Sequence, residues 1–233
     1  MATRLARYAW ADVEQHLDDQ GWSLLPKLLP GKVCQSLAHG YDRDELYRST
    51  VDMARHQFGK GQYRYFQYPL PRIIDALRHD LYARLAPLAN AWAGRLHATF
   101  RYPPRLDGFL QRCHRDGQTR PTPLVLRYHA GDYNRLHQDL YGPLNFPLQV
   151  LVVLSQHGSD YDGGEVIFVE QQPRAQSKAV ALQPDRGDAI IFTNRERPVR
   201  GSRGFYRVQM RHGASEVRRG ERFVLGIIFH DAA

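Results

Sequence analysis

The spacing of apolar residues changes character near residue 120. Ahead of that point the intervals are helical. "WADVEQHLDDQG" reads as a short amphipathic helix stopped by Gly21, and "LLPGKVCQSLAHG" as an extended piece leading into a second helix. Between Pro71 and Leu96, the residues Ile73, Ile74, Leu77, Leu81, Leu85, Leu88 and Trp92 recur at helical spacing. Pro87 is placed to bend or divide that run. "RLDGFLQRCHRDG" predicts a further short helix ending at Gly117.

Beyond "QTRPTP", short runs rich in Val, Ile, Leu, Phe and Tyr alternate with Gly, Asp and Pro turns. The runs are Leu124–His129, Arg135–Asp139, Phe146–Leu154, Glu165–Glu170, Ala179–Gln183, Ala189–Phe192, Tyr206–Arg211 and Phe223–Phe229. Closely spaced strands with no helix between them predict an antiparallel sandwich or barrel of the jelly-roll kind. The expected fold is therefore mainly β with a helical N-terminal part. Residues 1–120 are expected to form a helical support region packed on a barrel of residues 121–233. No internal repeat, low-complexity tract or linker interrupts the chain.

Composition narrows the class. The chain has 233 residues, 42% of them hydrophobic and 24% charged, enough for an ordinary packed core. The formal net charge is +8, carried mostly by Arg, whose forked donors suit an anionic partner such as nucleic acid. Two cysteines supply no disulfide framework and fit a reducing compartment. The N-terminus turns polar too early for a signal peptide, and no apolar run reaches membrane-spanning length. A cytoplasmic protein with no membrane contact and no evident protein partner is expected.

Candidate chemistry begins with a weak signal, His-x-Asp, which occurs three times: His16–Asp18, His114–Asp116 and His137–Asp139. On a helix, residues two apart point in different directions, whereas on a strand they share a face. The first two pairs fall in or near predicted helices. The third lies on a predicted strand entering a "LYG" turn, so His137 and Asp139 can act together. In "YRVQMRHGASEV", Tyr206, Val208, Met210 and His212 share one strand face, which aims His212 inward among apolar neighbours. Two imidazoles and one carboxylate form the facial set that holds Fe(II) and leaves three positions open for a chelating co-substrate and O₂. Taken alone, His212 would equally serve as a hydrogen-bonded core histidine.

Ten residues on, Arg222 opens a strand that is apolar on both faces. An unpaired guanidinium there is costly and calls for an anion, such as a carboxylate. Tyr128, on the same strand face as Leu124 and Leu126, either adds a hydroxyl to that anion or packs as a sheet aromatic.

Around these residues the chain resembles the Fe(II)- and 2-oxoglutarate-dependent dioxygenases, over roughly Thr122 to Asp231. "RYHAGDYNRLHQD" resembles the matching segment of the AlkB-type alkylation-repair dioxygenases. The segment from His212 to Arg222 looks more like the prolyl-hydroxylase branch, and "DGGEVIFVEQQ" and "LQPDRGDAIIF" resemble barrel strands common to both. The whole chain also resembles a bacterial group of oxygenases described as acting on alkylation-damaged DNA. The resemblance implies a double-stranded β-helix, with His137, Asp139 and His212 as iron ligands. It implies that Arg222, assisted by Tyr128, binds the distal carboxylate of 2-oxoglutarate. Many relatives carry Ser or Thr two residues after the arginine, where this chain has Val224. The AlkB-type second arginine of the last strand is replaced by "GIIF". The implied reaction couples oxidative decarboxylation of 2-oxoglutarate by O₂ to hydroxylation, including demethylation of alkylated DNA.

Two stretches are candidates for substrate contact. "RERPVRGSRGFYR" reads as an Arg-rich loop whose Arg200 and Arg203 would grip phosphate or simply be solvated. "GKGQYRYFQYPLP" interleaves Tyr63 and Tyr65 with cations, suiting base stacking or an edge strand packed on the barrel. A protein side-chain or small-molecule hydroxylase and a non-catalytic jelly-roll binding module are the alternative readings.

Overall fold

The computed structural model describes residues 2–139 and 142–233. Its N-terminal half contains α1 (Ala2–Leu5), α2 (Trp10–Gln20), β1 (Trp22–Leu25), α3 (Gly31–His39), β2 (Tyr47–Asp52), β3 (Gly59–Lys60), β4 (Gln62–Phe66), α4 (Arg72–Arg95) and α5 (Leu106–Arg115). The remainder is β-rich. It runs through β5 (Leu124–His129), β6 (Tyr133–His137), β7 (Leu148–Val153), β8 (Tyr161–Gly163), β9 (Val166–Gln171) and β10 (Lys178–Leu182). It closes with β11 (Ala189–Thr193), β12 (Glu196–Gly201), β13 (Gly204–Ala214) and β14 (Val217–Ile227). Among the described residues no helix is long and apolar enough to cross a membrane.

The strands form two antiparallel sheets. The larger runs β1-β11-β7-β14-β5-β4-β2 with β8 added to β14, and the smaller runs β10-β9-β13-β6-β3 with β12 added to β13. Val166, Phe168 and Met210 from the smaller sheet pack against Ile190 and Phe192 from the larger, which gives the jelly-roll sandwich. On the other face of the larger sheet, Val150, Val152, Ile191, Leu225 and Ile227 share one core with Leu77, Leu81, Leu85 and Trp92 of α4. The central strands are thus buried on both faces, which is why "LQVLVV" and "AIIFT" are nearly continuous apolar runs rather than alternating ones. Each such side chain contributes roughly 1.5–3 kcal/mol on burial, so α4 belongs to the core. A buried ion pair, Arg78 to Asp231 at 2.7 Å, ties α4 to the last residues of the chain. Tyr68 and His114 also hydrogen-bond the Asp231 carboxylate.

Several expectations need correction. The first 120 residues are not helical support alone, because β1 pairs with β11, β4 with β5, and β3 with β6. Of these, β1 and β3 are short segments with little strand character of their own. They are extended because barrel strands offer them free edges. Pro87 does not divide α4, which is continuous over Arg72–Arg95. Pro87 and Ala83 both lie on the solvent side, where water can satisfy the freed carbonyl. The Arg-rich stretch is not a loop but a hairpin, β12 pairing with β13 through a tight turn between Gly201 and Gly204. Tyr206 does not share the inward face of Val208, Met210 and His212 in burial, since the hairpin carries it out past the barrel into solvent. Residues 140 and 141 of the expected turn lie outside the described residues.

His230 provides a pH test of this core. Its ring is buried, and Nδ1 accepts the Phe146 backbone N–H at 3.1 Å. Burial first, then the Arg78 charge, lowers its pKa from 6.5 to about 4, with Asp139 and Asp231 partly opposing. Between those values the unfolded chain binds a proton that the folded protein refuses, so stability falls as pH drops through this window. The loss should reach roughly 3 kcal/mol near pH 4. Urea unfolding across pH 4–7 should show it, and His230→Gln, which keeps an acceptor for Phe146, should flatten this part of the curve.

Candidate metal centre

The site forms where β6 meets β13. In the register of these strands His137 stands opposite His212, and their ring centroids are 4.3 Å apart. The pairing is irregular between His212 and Ala214, and Gly213 is what permits it. A Cβ on Gly213 would lie 2.6 Å from the Asn134 carbonyl oxygen, inside contact distance. Any larger residue would push β13 off β6 and separate the two imidazoles.

Asp139 lies two residues past the end of β6, not on the strand as expected. It nevertheless reaches the histidines because the intervening Gln138 is pinned to β13, donating to the Met210 carbonyl at 2.8 Å. Asp139 Oδ1 is 3.5 Å from His137 Nε2, and Oδ2 is 3.3 Å from His212 Nε2. One donor atom from each of the three residues lies within 4.8 Å of the others, and no other such His/Cys/Asp/Glu group occurs among the described residues. The other two His-x-Asp pairs form no such group. A cation held at about 2.1 Å by three mutually perpendicular donors would set those donors about 3 Å apart, close to the separations here.

Protonation is arranged to suit. His137 Nδ1 donates to the Arg135 carbonyl at 2.7 Å, which turns Nε2 toward Asp139. Burial lowers the pKa of His137, but the hydrogen bond and charge of Asp139 more than offset this and leave it raised. Burial opposes the Asp139 charge, yet the two imidazoles hold its carboxyl well below the usual range. His212 is pushed down by burial and by His137. The site thus holds an ionised carboxylate between one imidazole that readily takes a proton and one that resists it. A divalent cation would displace the proton and satisfy all three. Two imidazole nitrogens and a carboxylate fit a borderline metal such as Fe(II). Phe192 packs on His212 with centroids 4.7 Å apart and fixes that ring.

A cavity of about 270 Å³ extends from these residues into the sandwich. Arg222 lines it, directly opposite Tyr128 in the β14–β5 register. The guanidinium sits 5.6 Å from the Tyr128 ring centroid and 5.7 Å from that of Tyr161. It is 2% exposed, its Nε has no hydrogen-bond partner, and among the described residues no acidic side chain pairs with it. Burial, opposed by the Arg222 charge, pushes Tyr128 up to about 12, so its hydroxyl remains a donor. Gly164 makes room for the arginine, since a Cβ there would come 2.8 Å from Arg222 Cδ. Val224, Leu126 and Leu151 supply apolar wall to the same cavity.

The substrate candidates separate. Tyr63 lines the cavity, whereas Tyr65 packs with Leu124 and Ile228 beneath the Arg48 guanidinium. Arg200 and Arg203 do not line it. Arg200 pairs with Phe205, seven residues before His212 on β13, which is roughly 23 Å at strand rise. Of the same Arg cluster, Arg197 is buried against Glu170 at 2.6 Å and Arg207 pairs with Glu196 at 3.1 Å. Gln149 and Phe58 are among the cavity residues that had not been singled out. Gln149, whose amide reaches Asp139, was marked only by being polar within "FPLQVLVVL". Phe58, 47% exposed at the mouth, has no pattern that distinguishes it from any loop aromatic.

Comparison with known proteins is consistent with this geometry. Residues 61–232 match the model of the family Oxygenase-NA, described as an oxygenase catalysing oxidative methylation of damaged DNA. An uncharacterized protein of Mycobacterium tuberculosis, MT2286 in strain CDC 1551 and Rv2227 in strain H37Rv, is 51% identical over 168 residues, 72% of each chain. Among solved structures, a Pseudomonas putida prolyl-4-hydroxylase superposes with a TM-score of 0.54 at 18% identity, covering 96% of this chain and 99% of that one. An oxidoreductase of the 2OG-Fe(II) oxygenase family from Burkholderia pseudomallei gives 0.56 at 16% identity, covering 97% and 93%. At such identities the structural likeness speaks for the fold.

Proposed function

Since the chain belongs to this oxygenase family, we propose that it is an Fe(II)- and 2-oxoglutarate-dependent dioxygenase that demethylates alkylated DNA. The observation that carries the reaction class is a single cavity lined both by the His137, Asp139 and His212 group and by a buried arginine that no acidic side chain among the described residues answers. His137, Asp139 and His212 would hold the iron, and Arg222 with Tyr128 would take the distal carboxylate of 2-oxoglutarate. When bound, the iron supplies the chemistry by which O₂ and 2-oxoglutarate become succinate and CO₂ while one oxygen atom enters a substrate C–H bond. The protein's own contribution is positional. Arg222 orients the co-substrate along the cavity, and the Val224, Leu126 and Leu151 wall keeps water from the reacting end. A methyl group on a base nitrogen, once hydroxylated, leaves as formaldehyde.

The family description and the aromatic mouth support the DNA reading. Phe58 is exposed, but its backbone is held at both ends, with its N–H on the Met53 carbonyl at 3.0 Å and its carbonyl on the Arg135 N–H at 2.8 Å. A fixed, exposed ring beside Tyr63, with the exposed cations Lys60 and Arg135 nearby, suits stacking on an extruded base. The likeness to prolyl hydroxylases favours a second reading, hydroxylation of a protein side chain.

The test supplies Fe(II), 2-oxoglutarate and O₂ with methylated single-stranded oligonucleotides and measures formaldehyde. Formaldehyde release should accompany succinate. Phe58→Ala should raise the oligonucleotide KM about tenfold, the size of one lost stacking contact, and leave substrate-free 2-oxoglutarate turnover unchanged. Turnover stimulated by peptides and not by oligonucleotides would transfer the assignment to the second reading.

A further inference from the structure

Gln149 is the one side chain on the inner face of β7 that touches the triad, and it is 4% exposed. Its Nε2 donates to Asp139 Oδ2 at 2.8 Å and lies 3.2 Å from His212 Nε2. Its Oε1 is buried and without a hydrogen-bond partner. The neighbours along the strand, Leu148, Val150 and Leu151, are apolar. An aliphatic residue would therefore fill this place without leaving an amide oxygen unsatisfied. Apolar packing does not explain the glutamine, whereas its contact with a metal-ligand candidate offers a reason.

A carboxylate can bind a cation through one oxygen or through both. In the second case Asp139 would occupy two coordination positions and leave one fewer for exchangeable ligands. The two carboxylate oxygens are placed differently here, Oδ1 toward His137 and Oδ2 toward both His212 and the Gln149 amide. The geometry points to Gln149 as a positioning residue that holds Asp139 to one-oxygen ligation. Its N–H occupies Oδ2, leaves Oδ1 to the metal, and keeps the remaining position open. This role rests on the reading of the triad as a metal centre but not on the identity of the substrate. Gln138, the neighbouring cavity glutamine, cannot substitute, because its amide is committed to the Met210 and Arg195 carbonyls.

The test compares the native protein with Gln149→Met, which keeps the length and apolar packing of the side chain, and with Gln149→Leu. Mn(II) is used as the metal, and water-proton relaxation counts its exchangeable inner-sphere waters. An octahedral ion with three single-atom protein ligands carries about three waters. The native complex should show that number, and both variants about two. In the same samples 2-oxoglutarate should bind more weakly, because its chelating atoms would take both positions that remain. An unchanged water count in Gln149→Met overturns the role while leaving the metal centre standing. Failure of the native protein to take up Mn(II) overturns both. Thermal melts of the metal-free proteins should show Gln149→Met at least as stable as the native chain, and a large loss there would assign the glutamine to structure instead.

Discussion

His212→Ala should weaken Fe(II) binding by at least about a hundredfold and reduce 2-oxoglutarate turnover to background, since even losing a ligand's supporting partner costs about 10–100-fold. The expectation follows from how few donors the site has. Among the described residues only His137, Asp139 and His212 form a group close enough to share a cation. With His212 gone, two donors remain, and Phe192, the ring that packs beside it, has no ligand atom to offer. The fold should survive, because the substitution leaves β13 paired with both β6 and β9. Its cost in metal-free stability should be about 1–3 kcal/mol, the usual range for truncating a buried side chain. His114→Ala is the informative control. His114 also belongs to a His-x-Asp pair, but its Nε2 contacts Asp231 at 2.8 Å and not a metal group. That variant should lose stability and retain Fe(II) affinity. Titration of both apoproteins with Fe(II) under anaerobic conditions reads the difference. Native-like affinity in His212→Ala would remove the basis for the centre.

The sandwich and the grouping of His137, Asp139 and His212 were legible from sequence for a definite reason. Strands buried on one or both faces carry their environment in their residue types, so "LQVLVV", "AIIFT" and the "FVLGI" half of β14 announce themselves. His212 could be aimed inward because Val208 and Met210 fix the phase of its strand, and both are buried as that phase requires. Arg222 stood out because a buried cation without a partner is expensive, and expense is visible in a pattern of apolar neighbours. What the pattern could not show were elements whose conformation comes from a partner. β1 spans only four residues, and β3 only two. Both are extended because β11 and β6 present unpaired edges, a fact held in distant sequence. Asp139 was placed on a strand that ends two residues earlier, and its real support, Gln138 hooked to Met210, depends on tertiary contact. The Arg-rich stretch shows what charge density leaves open, since two of its members are spent on Glu170 and Glu196, while Arg200 and Arg203 sit on the hairpin outside the cavity lining.

Arg222→Met should make the metal-free protein equally or more stable while lowering its affinity for 2-oxoglutarate by two to three orders of magnitude. Both effects come from the same observation. The guanidinium is always charged, it is 2% exposed, and among the described residues no carboxylate answers it. Two aromatic faces, Tyr128 and Tyr161, attenuate the cost of burial but do not cancel it. Replacing such a charge with an apolar side chain of similar length is commonly neutral or stabilising by about 1–4 kcal/mol. In the co-substrate complex the balance reverses. A forked pair of charge-assisted hydrogen bonds to a buried carboxylate is then lost, and removing one partner of such a pair costs about 3–5 kcal/mol. The two consequences separate in one thermal experiment on protein loaded with Mn(II). For the native protein, 2-oxoglutarate at about 100 times its Kd should add about 2.7 kcal/mol, or roughly 5–10 °C in Tm. For Arg222→Met the starting Tm should be no lower, and that increment should vanish at the same concentration. Arg222→Lys should restore little of it, since an ammonium on that stem cannot reproduce the planar fork. A native-sized increment in Arg222→Met would mean that 2-oxoglutarate is held elsewhere. The buried arginine would then be left without the anion that explains its cost.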